Sequence, residues 1–379
     1  METAHIPPKR LLWLRGEVAA WQADGLIDGE TAARIADRYA HSRRFALERL
    51  VLFLGAAFLG VGLIWTVAAN YEGLSPIARF AGIVAIWLAA VVGAELLASR
   101  VSGALPAAAR VIAVAAGGGT VFQAAQSLQV PAGDSTLLGA WAGGALAYAY
   151  ATRGRAPLLV AAGLGVGWYA WWAAENAPSH GVVACAMLVA AGLATALAVL
   201  HERWTPAFAD VWRPVGVLLA LVGLYIAAFP DRDFRMTDAL WAGIAVTVLV
   251  SAVAVRLGSA PGQVAAMPGI LAAGVLLALW DPAGSMASPS GEALVRAIAG
   301  IVCYVLAAAW FAVLGTSRDL PGMVPPAAGA LVVFVTTQSF AVFAPLFSGA
   351  ALFLVLGAVF LGTGVLVYRG RRLITKVSS

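Results

Sequence analysis

The sequence predicts an all-α, polytopic membrane protein of about twelve transmembrane helices, and three observations predict it. The chain of 379 residues is 61% apolar and only 11% charged, whereas soluble domains run nearer about 45–50% and about 25%. Apolar runs long enough to cross a hydrocarbon core of about 30 Å recur from Arg49 to Tyr368. The basic residues fall in alternate connections between those runs, as they do in a chain that threads a membrane. A mean hydropathy of +0.88 agrees.

In chain order, residues 1–47 form a polar, cytoplasmic, amphipathic helical hairpin. Leu11, Leu14, Val18 and Trp21 share one helical face. Asp24-Gly25 ends that helix, because glycine accepts the left-handed conformation at a helix C-terminus. Asp28 is placed to cap a second helix carrying Ile35 and Tyr39. No short basic stretch leads directly into an apolar core here. No cleavable signal is therefore expected, and the first span serves as its own insertion signal.

The expected spans lie near 49–69, 77–98, 108–128, 135–151, 156–174, 181–200, 213–229, 237–255, 264–281, 293–314, 324–342 and 347–368. Most connections carry Pro, Gly, Asp or Ser, which end helices by removing a donor or permitting a turn. With the N-terminus inside, 20 of the 24 basic residues collect on the inner side, leaving Arg79, Arg232, Arg235 and Arg296 outside. That separation puts both termini in the cytoplasm of a bacterial inner membrane. Residues 372–379 form the cytoplasmic tail. Gly139/Gly143 and Gly163/Gly167 are spaced for close helix packing.

The formal net charge is +5, with an isoelectric point near 9.5. Because the charges sit between apolar runs, they set orientation and do not point to nucleic acid. Arg43, Arg44 and Arg49 adjoin the first span, where each attracts anionic membrane lipid at about 1 kcal/mol. Residues 9–42 are either a docking hairpin and topology signal or a binding module for a protein partner. Cys185 and Cys303 both fall inside apolar runs and read as small buried hydrophobes.

Three stretches resemble a bacterial family of predicted membrane proteins catalogued as domain of unknown function 2157. They are Trp21-Gln-Ala-Asp-Gly-Leu-Ile-Asp28, Gly60-Val-Gly-Leu-Ile-Trp-Thr-Val-Ala-Ala-Asn-Tyr71 and Gln126-Ser-Leu-Gln-Val-Pro-Ala-Gly-Asp134. The last departs from the family pattern at Leu128, where an aromatic is expected. The resemblance covers roughly residues 10–155. It implies a membrane protein and brings no activity, cofactor or catalytic residue with it.

The transmembrane region, 48–371, carries hints of three tandem four-helix units, 48–153, 156–256 and 264–371. Leu59-Gly-Val-Gly62 returns as Leu164-Gly-Val-Gly167, and Trp141-Ala-Gly143 as Trp241-Ala-Gly243. Gln126-Ser127 returns as Gln338-Ser339. Units of four helices would be parallel repeats related about the membrane normal.

A charge at mid-membrane costs about 2.5–3.5 kcal/mol on insertion scales, so polar residues within spans are where a site is sought. The candidates for an outward-facing, ligand-binding polar cavity are Gln123, Gln126, Gln338, Asn70, Glu175 and Asn176. Gln123 and Gln126 share a helical face, and Gln129 extends that row. The competing reading is an ordinary aromatic belt with headgroup-level polar residues, to which Glu72, Asp134 and Asp281 also belong. Glu95, about one turn from Arg100, is expected to be paired or snorkelling. Asp231-Arg-Asp233 is expected to be a solvated loop.

His180 and His201 have no second ligand at metal spacing, and neither a metal nor a cofactor is expected. Nucleotide-binding, zinc-protease and serine-hydrolase motifs are missing. The expectation is a non-enzymatic structural or interaction protein of the bacterial envelope. The alternative is a transporter or lipid-handling protein built around the outward cavity.

Overall fold

In the computed structural model the chain is described at residues 4–6, 8–41 and 75–343, except 130, 132, 259–260, 282–283, 286–287, 290 and 319, together with a few positions between 51 and 62. The expected first and last spans, 49–69 and 347–368, lie largely or wholly outside the described residues. The described chain is helical apart from two short strand pairings, and it divides into two compact units, Met1–Pro131 and Ala132–Ser379.

The first unit opens with the helical hairpin. Helix α1 (Pro8–Ala23) buries Val18. It ends where Leu26 N–H bonds Trp21 O across Gly25, whose φ of 73° only glycine adopts without strain. Asp28 caps α2 (Gly29–Arg38) by accepting the Thr31 amide at 2.8 Å. Tyr39 is not the last turn of α2, as expected. It begins a strand, Tyr39–His41, that pairs in parallel with Ala4–Ile6.

The same unit contains α3 (Pro76–Arg100) and α4 (Ala104–Ser127), joined by three residues. Ser75 caps α3, and Pro76 fills the first turn, where its missing N–H costs nothing. The short connection folds α4 back on α3. The Glu95 carboxylate thereby receives Nε and Nη2 of Arg110 at 2.9 and 2.6 Å. Arg110, rather than Arg100, is therefore the partner of Glu95. Gly117 leaves room for the Trp87 indole, which lies 3.1 Å from where a Cβ would stand.

The second unit begins with the paired helices α5 (Ser135–Thr152) and α6 (Arg155–Asn176). Of the expected glycine contacts, Gly139 meets the Trp168 ring and Gly167 meets Leu138, while Gly143 and Gly163 face open space. Helix α7 (His180–Trp204) is the most enclosed element, and α8 (Pro206–Ala227) packs along it. Around these stand α9 (Asp238–Leu257), α10 (Pro261–Ala265), α11 (Met267–Leu279), α12 (Gly291–Ser317) and α13 (Val324–Phe343). The core joins Leu188 and Ala191 of α7, Leu221 and Leu224 of α8, Ile270 of α11, Tyr304 and Phe311 of α12, and Phe334 of α13.

Small residues let the backbones around α7 approach closely, as the composition suggested. A Cβ on Gly223 of α8 would stand 2.7 Å from Leu188 Cγ and 2.9 Å from Ala184 O. Gly216 and Gly274 press on α7 in the same way. The expected span 264–281 is broken: α10 ends at Ala265 and α11 starts at Met267. Pro268 lacks the N–H that would continue the ladder to Val264.

Among the described residues, eight helices are long and apolar enough to cross a membrane: α3, α4, α6, α7, α8, α9, α12, and α10–α11 taken together. Helix α5 forms where the fourth run is expected but falls outside the eight. Gly, Ser, Thr and Tyr occupy many of its 18 positions.

Candidate functional site

The candidate polar residues fall into different settings. Gln123 is buried on α4. Gln126, one turn further on, is exposed. Helix α4 then ends at Ser127, and Gln129 adopts φ 59°, so it leaves the helical row instead of extending it. On α6 the exposed Glu175 accepts the Trp171 indole N–H at 2.5 Å, and Asn176 donates to Trp172 O at 2.9 Å. Gln338 lies on α13, but its side chain is outside the described residues, as is Asn70.

Asp134 caps α5, accepting the Thr136 amide at 2.9 Å and its hydroxyl at 2.6 Å. The hydroxyl, then the amide, hold this carboxyl below the usual carboxylate range.

Stronger constellations stand at positions with no local motif. Arg296, near the start of α12, is 1% exposed, and among the described residues its guanidinium hydrogen-bonds backbone carbonyls alone. Nε donates to Trp280 O at 2.8 Å and Nη1 to Ala228 O at 2.8 Å. Nη2 reaches Ala227, Phe229 and Leu277 carbonyls at 3.1, 2.9 and 2.8 Å. These oxygens sit at the C-terminal ends of α8 and α11, where carbonyls lack helical partners and carry the negative end of the helix dipole. One side chain thus closes two helices onto a third.

Arg213, on the first half of α8, is also buried but binds side chains. It pairs with Glu202 at the end of α7 and with Asp210 Oδ1 at 3.2 Å. Its Nε reaches Gln263 Oε1 of α10 at 3.4 Å, and Gln263 Nε2 donates to Glu202 at 2.8 Å. Beside this network Tyr150 meets His201 and Phe208 edge to face, while His201 and Phe208 are tilted at 39°, with ring centroids 5.1–5.7 Å apart.

Asp231 corrects the expectation of a solvated loop. It is buried, and it accepts the Gly181 amide at 2.6 Å and the Asp233 amide at 3.1 Å, so it closes the N-terminus of α7. His180 adds Nδ1 at 3.8 Å and donates from Nε2 to Pro230 O at 3.0 Å. Burial raises the Asp231 pKa. The neighbouring Ser179 hydroxyl, the two amides and His180 outweigh that and hold it below the usual range. Arg232 meets Asp281 at 3.7 Å on the surface.

None of these three buried constellations was found from the sequence. Their partners lie 11 to 69 residues away, except where Asp210 and Asp233 sit on the same segment as the residue they touch. The one usable signal was an arginine at the start of a span on the basic-poor side, Arg296. Among the described residues no group of three or more His, Cys, Asp or Glu side chains is placed to hold a metal.

Residues 19–158 match the family described as "Predicted membrane protein (DUF2157)", a little over a third of the chain. The match meets the resemblance expected over roughly residues 10–155. It includes Gln123, Gln126 and the Glu95–Arg110 pair, and it ends before Arg213, Asp231 and Arg296. No curated protein and no solved structure matches the chain.

Proposed function

We propose that this membrane protein is a non-enzymatic structural and interaction protein of the bacterial inner membrane, crossing it about twelve times with both termini in the cytoplasm. One observation carries the reading. Among the described residues the buried charged side chains are Arg213, Asp231 and Arg296, and each is bonded to the protein itself. An acid–base catalyst or an ion carrier needs a buried charge that exchanges partners with a substrate. Here the buried charges join helices.

The partner-binding element in this reading is the hairpin, residues 9–42. Between α1 and α2 it carries a groove of about 420 Å³ lined by Leu14, Val18, Ala19, Ala32 and Ala33 with Arg15 and Gln22 at its edge. Affinity purification from native membranes compares the full chain with one lacking residues 1–41. Specific proteins lost with the hairpin are the expected result. The same proteins recovered with both chains would remove the hairpin from the proposal.

The burial of Gln123 at membrane depth favours a second reading, a transporter or lipid-handling protein with an outward-facing polar cavity at Gln123 and Gln126. A panel of nutrients, metabolites and lipids tested for thermal stabilisation decides it. The second reading requires a hit that Gln126→Ala abolishes without loss of insertion.

A further inference from the structure

Helix α8 is held near both ends by a buried arginine, and the two holds differ in kind. At its C-terminus Arg296 grips the Ala227, Ala228 and Phe229 carbonyls, which have no rotamers and no proton to exchange. About 21 Å away along the helix, at about 1.5 Å per residue, Arg213 holds Glu202 and Gln263, both carried on flexible side chains. A second carboxylate, Asp210, stands ready on Arg213, and it is half exposed to solvent. Arg213 can therefore let go of Glu202 without becoming a bare buried cation. What Glu202 and Gln263 tie down is α10, a single turn already cut from α11 at Ala266.

From these observations we propose that the end of this unit formed by α7, α8 and α10 is a latch. It opens when the Glu202–Arg213–Gln263 network parts, while the Arg296 clamp keeps the other end of α8 closed. The moving piece is α10, which pivots at Ala266. It carries Val264 out of its contact with Ala196 and Val199 of α7 and Ala254 of α9, and so opens a path between these helices. Arg318, after α12, stands 4.0 Å from where a Gly262 Cβ would lie and adds a cation beside α10. His201 is turned to Tyr150 and Phe208 and bonds Leu197 O, so it does not join the network. The inference is independent of whether the protein binds a partner or a solute.

The test uses the full chain in membrane vesicles, with Cys185→Ala and Cys303→Ala and one thiol probe at a time. Val264→Cys reports on the latch, and Ala278→Cys, 2% exposed beside the Arg296 clamp, reports on the fixed end. Maleimide labelling rates are compared at one pH. Glu202→Gln, which removes the charge and keeps the shape, should speed labelling of Val264→Cys about tenfold and leave Ala278→Cys within about twofold. Gln263→Glu sets a carboxylate against Glu202 and should have the same effect, which covers the case in which Glu202→Gln fails to insert. Unchanged labelling at Val264→Cys would overturn the latch. So would both probes accelerating together, because that would report general loosening.

Discussion

Arg296 and Arg213 are both buried guanidinium groups that fasten α8, yet one binds carbonyl oxygens and the other carboxylates and an amide. The comparison separates two uses of a charge at membrane depth. A cation on helix C-termini meets the dipoles of several peptide groups, which are fixed by the backbone itself. A cation in a side-chain network meets formal charges that can be neutralised, substituted or released. The first is a permanent joint and the second an adjustable one. Lysine is a poor replacement in the first, since its three donors leave the point of one atom and cannot fan out over five oxygens.

The largest effect is expected at the permanent joint. Arg296→Met leaves buried carbonyls unpaired, each at about 1–3 kcal/mol, and should lower the melting midpoint in detergent more than any other single change proposed. Arg296→Lys should recover only part of the loss. Full recovery by lysine would mean that the charge matters and the fan of bonds does not.

At the adjustable joint the prediction turns on pairing. Arg213→Met takes the cation away from the Glu202 carboxylate and should cost about 3–5 kcal/mol, whereas Arg213→Met with Glu202→Leu should lie within about 1 kcal/mol of the wild type. Strictly additive losses from the two single changes would show that these residues do not act as a unit.

These joints explain what was and was not legible in the sequence. Helix starts were written locally, in Ser75-Pro76, Asp134-Ser135, Thr205-Pro206 and Thr237-Asp238, because a cap or a proline acts within one turn. Ten of the twelve expected spans accordingly coincide with described helices, one of them broken at Ala266. Glu95 illustrates the limit. Arg100 is nearer in sequence, but five residues along a helix turn it to another face. Arg110 meets Glu95 because the Val101–Gly103 connection brings both to the same level. Arg296 stood out as a cation at the start of a span, but its partners did not, since they are carbonyls, which every residue has. The candidate polar residues were visible as polar, but their surroundings depend on packing that the pattern does not encode.

Between α5 and α6 a smaller effect distinguishes two glycines that look alike in sequence. A Cβ on Gly139 would stand 2.7 Å from Trp168 Nε1, whereas one on Gly143 meets nothing within 4 Å. Gly139→Ala should therefore cost about 1–3 kcal/mol through overpacking. Gly143→Ala should be neutral or gain up to about 1 kcal/mol from helix propensity. Equal outcomes in the same thermal melt would break the assignment of Gly139 as the contact point.

The smallest effect concerns Asp231, which fastens a helix end with a charge of its own. Its carboxyl is held below the ordinary value of about 3.9 after burial, which works the other way, is outweighed by its hydrogen bonds and by His180. A depressed pKa stabilises the folded state at pH values above the unfolded value, and that stabilisation disappears as the pH falls through the lower, folded one. Asp231→Asn should therefore melt below the wild type at pH 7. The gap should close as the pH drops below about 4, because only the wild type has a charge to lose there. Asp233 lends Asp231 its backbone amide while its own side chain is exposed, so Asp233→Asn should follow the wild type throughout. A gap between Asp231→Asn and the wild type that stayed constant with pH would show that shape, and not charge, closes the start of α7.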